Sequence, residues 1–114
     1  MRVAVACQGL NVAPYFVQCT NYTVYTVNRG IITDSRTMPA LDQPINKFVE
    51  LLKSINIDAL IVGLIEYDMA AVLCRNNIEI VAGAEGSALD VAKAYVSNTL
   101  TGVQEVCAIG DFDD

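Results

Sequence analysis

The sequence predicts a small mixed α/β fold, in which an antiparallel hairpin is followed by two parallel crossover units. Two short runs rich in β-branched residues, residues 57–63 and residues 78–83, each end in glycine and each precede an amphipathic segment. A third observation is the alternation of residues 22–27, which a turn and a second extended run follow. Because parallel strands need right-handed crossovers and are buried on both sides, helices are expected on both faces of the sheet.

The first half of the chain supplies the antiparallel part of this sheet. Residues 2–7 are a short apolar run that we assign to the first strand. Residues 22–36 form the hairpin, since an Asn-Arg-Gly turn separates two extended runs. The connecting residues 8–21 have no steady period and contain Gly9 and Pro14, so an irregular loop is expected above the end of the first strand.

Three amphipathic helices are predicted from apolar residues that recur at helical spacing. The first has Asp42 as its predicted cap and Pro44 in its first turn. The second ends at Asn76 and Asn77, which tolerate the left-handed conformation. The third begins at Ser87, which opens a capping box. Their inward-facing residues are Leu41, Ile45, Phe48, Val49, Leu52 and Ile55, then Ile65, Met69, Val72 and Leu73, then Ala88, Ala92, Tyr95 and Val96.

Length and composition indicate one globular domain. Hydrophobic residues make up 54% of the 114 residues and charged residues 18%, which excludes a disordered chain. We assign residues 1–102 to the domain and residues 103–114 to an acidic C-terminal tail that is expected to be disordered. No uninterrupted apolar run reaches the roughly 20 residues of a spanning helix, and the first residues lack a signal-peptide layout, so a cytoplasmic protein is expected.

The charge balance and the cysteines restrict the partners and the redox state. The net charge is −6, and an acidic surface repels phosphate backbones and anionic lipid headgroups. Neither nucleic acid nor a membrane is therefore an expected partner. The four cysteines, Cys7, Cys19, Cys74 and Cys107, show no paired spacing. Without an export signal they are expected to be free thiols, so no disulfide is predicted.

Candidate ligand-binding residues lie where the parallel strands end, because those ends meet at one edge of the sheet. Gly9, Gly63 and Gly86 are placed there by the predicted strands. Glu66 and Glu85 follow two of the strand ends. These carboxylates bind a hard cation across the crevice, act as acid and base, or only stabilise the starts of the helices that follow them. The turn at residues 83–87 also offers backbone amides to an anion, although it lacks the lysine of a phosphate loop.

Sulfur and aromatic side chains are the other candidates for this edge. Cys7 ends the first strand, where its thiolate either binds a soft metal or its side chain only fills the core. Cys19 in the loop is the second candidate metal ligand. Tyr15 and Phe16 form an aromatic lip that stacks on a planar ligand, closes a dimer or fills the core. Cys74 and Cys107 are expected to take no part in the site.

Four short motifs occur in the order found in a known family. They are Arg-Val-Ala-Val-Ala at residues 2–6, Val-Ala-Pro-Tyr-Phe at 12–16, Ile-Val-Gly at 61–63 and Gly-Ala-Glu-Gly at 83–86. From about residue 2 to residue 100, the chain resembles the dinitrogenase iron-molybdenum cofactor biosynthesis family. The resemblance implies a ribonuclease-H-like fold. It also implies a protein that binds an iron–sulfur or iron–molybdenum cluster transiently during nitrogenase assembly and is not a catalyst.

The chain departs from the pattern of that family at the site itself. The family's loop histidine falls on Tyr15, and the glycine after the phenylalanine falls on Val17. The chain has no histidine, and tyrosine is a poor ligand for soft metals, so an imidazole-bound cluster does not carry over. Leu64 and Glu66 stand where several family members have further glycines, which adds bulk and a carboxylate to the crevice.

These observations favour a small non-catalytic binding protein, a carrier or chaperone for an iron–sulfur or iron–molybdenum cluster or for a divergent ligand. The alternative is a structural or interaction subunit, a homodimer or partner-binding protein with a degenerate ligand pocket. A magnesium-dependent nuclease is not expected, since the first strand ends in Cys7 and Gln8, where such an enzyme needs a carboxylate. Without histidine, a Ser–His or Cys–His nucleophile pair is also excluded.

Overall fold

The computed structural model describes residues 1–40 and 42–109, which form one seven-stranded sheet with helices on both faces. The strands are β1 (Arg2–Gln8), β2 (Asn11–Val12), β3 (Asn21–Asn28), β4 (Ile31–Pro39), β5 (Ala59–Ile61), β6 (Glu79–Ala82) and β7 (Gln104–Glu105). The helices are a 3-10 helix (Phe16–Gln18), α1 (Ile45–Ser54), α2 (Tyr67–Arg75), α3 (Ala88–Val96) and α4 (Val106–Ile109). Within these residues, none of the helices has the length and apolar character needed to cross a lipid bilayer.

The strand pairing confirms the predicted hairpin followed by two parallel crossovers. The strand order is β4-β3-β1-β5-β6-β7, and β2 pairs with the end of β1. β3 runs antiparallel to β1 and β4, whereas β5 runs parallel to both β1 and β6. Five consecutive residues of β1, from Val3 to Cys7, have no solvent exposure, as expected for a central strand covered on both faces. The mixed α/β fold class is therefore confirmed.

Side chains of β1 pack alternately into two apolar layers, because successive residues of a strand face opposite sides. Ala6 belongs to the layer that contains Leu52 of α1 and Ala70 and Leu73 of α2. Val5 and Cys7 belong to the other layer, with Val91 of α3. The sheet thus separates α1 and α2 from α3, and any group on β1 reaches only one of these layers.

The helix ends agree with the sequence at two points and differ at one. Asn77 has a φ of 63° after α2, and the side chain of Ser87 accepts a hydrogen bond at the start of α3. Asp42, however, does not cap α1, because the N-cap is Pro44 and no side chain caps it. Pro44 itself has an extended ψ of 151°, so the helix starts only at Ile45, and Pro44 lies before the first turn rather than in it. Leu41, predicted on the inward stripe, lies outside the described residues.

Regular secondary structure continues past residue 102, the predicted end of the domain. After a turn at Gly102, β7 pairs antiparallel with β6, and α4 follows directly. Cys107 of α4 forms a disulfide with Cys74 of α2, so the prediction of free thiols is wrong for this pair. The fold brings together two cysteines that are 33 residues apart, a proximity that spacing along the chain does not reveal. Residues 110–114 of the predicted tail lie outside the described residues.

Candidate functional site

The loop after β1 covers the carboxyl ends of β5 and β6 with its own main chain. The amide of Phe16 donates to the carbonyl of Leu64 at 2.7 Å, and the amide of Leu64 donates to the carbonyl of Pro14 at 2.8 Å. Further along the edge, the amide of Val12 donates to the carbonyl of Gly86 at 2.8 Å. At these points the main chain of the loop occupies the space between the strand ends where the sequence predicts a crevice.

Gly63 allows the loop to lie this close to the end of β5. A β-carbon at position 63 would lie 2.5 Å from the carbonyl oxygens of both Ala13 and Pro14. Nonbonded carbon and oxygen atoms do not approach so closely, so only a residue without a side chain fits here. The glycine therefore positions the loop against the sheet.

The start of the loop is fixed by Asn21, the first residue of β3. Its Oδ1 accepts a hydrogen bond from the amide of Gly9, and its Nδ2 donates to the carbonyl of the same residue, both at 3.0 Å. Nearby, Nε2 of Gln8 donates to the carbonyl of Gln18 at 3.1 Å. The loop is thus tied to the hairpin at one end and to the end of β5 at the other.

Most predicted ligand-binding residues lie along this edge, and those that carry side chains are exposed. Tyr15 is 50% exposed, and Glu66 and Glu85 are exposed as well. Glu66 is the N-cap of α2 without a side-chain cap bond, and Glu85 lies in the turn before α3. Among the described residues, no group of three or more histidine, cysteine, aspartate or glutamate side chains is placed to hold a metal ion. The residues at the edge are Gly9, Tyr15, Gly63, Glu66, Glu85 and Gly86.

The two predicted metal ligands, Cys7 and Cys19, pack into different apolar layers. Cys7 has no solvent exposure, and its Sγ donates to the carbonyl of Val5 at 3.3 Å in the layer of α3. Cys19 is half-buried and packs against the layer of α1 and α2. Burial raises the pKa of both thiols above the ordinary value, so both are protonated at neutral pH. The structure therefore does not bring the two sulfur atoms together on one surface.

A cavity of about 360 Å³ lies beside Cys19, on the side of the sheet that α1 and α2 cover. Its walls include Phe16, Tyr22 and Phe48, with Met69 of α2. A volume of this size is typical of small-molecule sites. Of the residues predicted to bind a ligand or a metal, Phe16 and Cys19 line this cavity, and the others do not.

The cavity wall combines aromatic rings and sulfur with the amide of Gln43 and the exposed carboxylate of Asp42. The rings of Tyr22 and Phe48 stack with centroids 5.0 Å apart, and the ring of Phe16 lies 5.7 Å from that of Phe48. Burial, with a hydrogen bond to Cys19, raises the pKa of Tyr22 far above its usual range. A neutral thiol, a neutral phenol and aromatic rings suit a soft or apolar ligand better than a hard cation.

Most residues of the cavity wall carry no signal of a binding site in the sequence. Phe48 and Met69 were assigned to the inward stripes of their helices, and Tyr22 was assigned to the hairpin. Those assignments are consistent with the packing, since all three residues belong to or contact the layer of α1 and α2. Periodicity predicts which side chains face inward, but it carries no information on whether they fill the interior completely.

Comparison with solved structures shows the same fold at low sequence identity. The crystal structure of the protein PH0822 is 17% identical, with a TM-score of 0.81 over 89% of this chain and 93% of that chain. A candidate dinitrogenase from Methanocaldococcus jannaschii is 15% identical, with a TM-score of 0.74 over 93% of this chain and 94% of that chain. A candidate NifB protein from Thermotoga is 16% identical, with a TM-score of 0.69 over 96% of this chain and 97% of that chain.

A family comparison adds to this structural likeness. The model of a family described as dinitrogenase iron-molybdenum cofactor matches residues 1–98, whereas no curated protein gives a significant match. The matched range runs from β1 to the end of α3 and includes every predicted site residue. The match confirms the resemblance carried by the four short motifs. The description of the family connects it with the iron–molybdenum cofactor of dinitrogenase. This chain belongs to the dinitrogenase iron-molybdenum cofactor family.

Proposed function

We propose that the protein is a small non-catalytic carrier that binds an iron–sulfur or iron–molybdenum type cluster transiently, with Cys19 as its protein ligand. Family membership over residues 1–98 supports this class of cargo. The observation that carries the proposal is the half-buried thiol of Cys19 at the wall of a cavity of about 360 Å³. The proposed place of work is the cytoplasm, where the thiol of Cys19 stays reduced and where the bridge between Cys74 and Cys107 would open to two thiols.

The chemistry of the cavity supports a soft-metal cargo. Thiolate is the preferred protein ligand of iron–sulfur clusters, and Cys19 is the free thiol that lines this cavity. Met69 adds a thioether sulfur to the same wall, and sulfur ligands select soft metals. Cys7 is assigned to packing, because it has no exposure and lies in the opposite layer.

The incomplete set of ligands supports transient rather than permanent binding. One protein thiolate leaves the other metal positions of a cluster to ligands that arrive with it. Within the described ranges, no further group of cysteines and carboxylates is placed to complete the coordination. A cluster bound through one protein bond can be passed on by exchange of that bond, which is the behaviour expected of a carrier.

The test is anaerobic reconstitution of the reduced protein with ferric iron, sulfide and a thiol reductant, which together supply both oxidation states of iron, followed by iron analysis and visible absorption. The wild-type protein should show charge-transfer absorption and bound iron. The Cys19→Ala variant should lose most of both. The Cys7→Ala variant is the matched control and should keep them, because it removes a thiol that does not face the cavity.

A second control concerns the remaining two cysteines, which are thiols under the reducing conditions of the assay. The double variant Cys74→Ser with Cys107→Ser should bind as much iron as the wild-type protein. A colourless, iron-free wild-type protein would contradict the proposal. Equal iron content in the Cys19→Ala variant and the wild-type protein would contradict the assignment of Cys19.

A further inference from the structure

The parallel strands β1, β5 and β6 all end at the same end of the sheet, which we call the carboxyl edge. Most of the exposed large apolar side chains of the described residues lie there. Eight large apolar side chains of the described residues are substantially exposed, and two of them, Met1 and Ile31, lie at the opposite end of the sheet. The other six lie at the carboxyl edge, and we call them the apolar edge. They are Leu10 (88%), Tyr15 (50%), Val17 (52%), Leu64 (60%), Tyr67 (65%) and Leu89 (42%).

The backbone holds the apolar edge in place. Tyr15 and Leu64 form a parallel β-bridge, so these two side chains are presented by paired backbone. The amide of Ala88 donates to the carbonyl of Leu10 at 2.9 Å, which ties Leu10 to the start of the helix that carries Leu89. Monomeric proteins rarely expose large contiguous apolar patches, and such patches commonly mark interaction sites.

The charges around the apolar edge all have one sign. Residues 8–20, 62–68 and 82–90 form this end of the molecule, and they contain four acidic residues and no lysine or arginine. Asp68 and Asp90 lie in the first turns of α2 and α3, where the helix dipole favours them. The dipole does not account for the absence of any cation from the whole surface. The four acidic residues, all exposed, are Glu66, Asp68, Glu85 and Asp90.

We propose that the apolar edge is a docking surface for a protein partner whose contact surface has apolar side chains bordered by lysine or arginine. Apolar contacts in the centre and opposite charges at the rim are the complementary arrangement for this surface. A second copy of the chain does not fit, since a symmetric contact would place the four acids of one copy against those of the other. Of the six side chains of the apolar edge, Val17 alone also lines the cavity, so the docking proposal does not require a cluster bound at Cys19.

The first test uses three synthetic peptides as probes of this chemistry. One is a short amphipathic helix of leucine and lysine, the second replaces lysine with glutamate, and the third replaces leucine with serine. Chemical-shift changes of the labelled protein give both the affinity and the location of binding. Only the leucine–lysine peptide should bind well, with shifts at Tyr15 and Leu64, and its affinity should fall as salt is added.

Matched variants then test the two parts of the surface separately. Leu64→Ser should lower the affinity for the leucine–lysine peptide by roughly tenfold. Ile31→Ser, at the opposite end of the sheet, should leave this affinity unchanged. Glu85→Gln should weaken binding mainly at low salt, and Asp34→Asn is the charge control away from the edge. Far-UV circular dichroism should show that all four variants keep the fold, because each substituted side chain is exposed.

Several results would overturn the proposal. These are equal binding of the leucine–glutamate or lysine–serine peptide, shifts centred away from the edge, or self-association through Leu64 in light scattering without peptide. The Cys19→Ala variant separates this proposal from the carrier proposal. It should bind the peptide as the wild-type protein does, even though it loses iron.

Discussion

Tyr15 and Leu64 are β-bridge partners, although Tyr15 belongs to the loop after β1 and Leu64 follows β5. Their side chains are 50% and 60% exposed, so the pairing fixes two apolar groups on the surface. The pairing depends on Gly63, over which the carbonyl groups of Ala13 and Pro14 lie. The surface proposed for docking is therefore positioned by a residue that has no side chain.

The first prediction is that Gly63→Ala destabilises the protein by about 2–3 kcal/mol, because the new methyl group overlaps two backbone carbonyls. Backbone cannot move aside as a flexible side chain can, so the loop must lift from β5. Urea unfolding measures the free energy of unfolding. The leucine–lysine peptide should also bind this variant less tightly.

Gly86→Ala is the matched control for this prediction. Gly86 lies at the same edge with a φ of 96°, but a β-carbon there meets no atom within 4 Å. Only the backbone cost of about 1 kcal/mol is expected. Equal destabilisation by the two substitutions would show that the close approach at Gly63 has no special energetic role.

The second prediction concerns the disulfide between Cys74 and Cys107. The bridge closes a loop with a sequence separation of 33, so its reduction should lower the free energy of unfolding by about 3–4 kcal/mol. Reduction should also increase hydrogen exchange in β7, which pairs with β6 through only two residues. Urea unfolding with and without reductant measures the first effect, and mass spectrometry the second.

The control for the disulfide prediction is the double variant Cys74→Ser with Cys107→Ser, on which reductant should have no effect. Thiol titration of the denatured, unreduced wild-type protein should find two free thiols, those of Cys7 and Cys19. A count of four would contradict the bridge. The same titration on protein trapped with an alkylating agent inside cells would report the redox state of the compartment.

The third prediction is that iron binding strengthens as the pH rises. The thiol of Cys19 must lose its proton to bind a metal, and burial raises its pKa. Below that pKa, the apparent affinity for ferrous iron should rise by up to about tenfold for each pH unit. Anaerobic competition with a chelator measures the affinity. The Cys19→Ala variant should show no comparable rise, and a wild-type affinity that stays constant with pH would contradict Cys19 as the ligand.

The fourth prediction is that the fold loses stability in alkaline solution. Burial raises the pKa of Cys7, Cys19 and Tyr22, so the folded protein keeps these groups protonated where the unfolded chain ionises them. The stabilisation that these protonated groups provide should therefore be fully present below the ordinary thiol pKa of 9.0. It should decrease as the pH rises above that value. Urea midpoints measured across this range test the direction.

Tyr22→Phe isolates the contribution of the phenol to this pH dependence. The variant keeps the ring that stacks on Phe48 at 5.0 Å but removes the ionisable hydroxyl. Its urea midpoint should fall less steeply than that of the wild-type protein above the ordinary tyrosine value of 10.0. Identical slopes for the two proteins would exclude Tyr22 as a source of the effect.

The fold was predictable because its main signals are local. The alternation of residues 22–27 and the apolar stripes of the helices follow the periods of their elements, and the observed hairpin and crossovers match them. The short strands β2 and β7 carry no such period, since each has two residues. They form through pairing with distant backbone, which a single-sequence pattern does not encode.

The candidate site was less predictable because it depends on how the loop closes. The strand pattern predicts that Gly63 lies at the end of β5, but it does not predict that the carbonyl groups of Ala13 and Pro14 lie against that glycine. The thiols of Cys7 and Cys19 are close in sequence, yet they pack into different layers. Leu10 and Leu89 gave no signal as surface residues, because an apolar residue beside a turn is as compatible with the core as with the surface.

The 3-10 helix joins the two proposed activities within consecutive residues. Phe16 is buried against the cavity, and the next residue, Val17, is 52% exposed at the apolar edge. A rotation of this single turn would move both side chains at once. If cargo and partner prefer the same orientation of the turn, each raises the affinity of the other by the same factor, as thermodynamic reciprocity requires. One short turn would then let a partner distinguish the loaded carrier from the empty one.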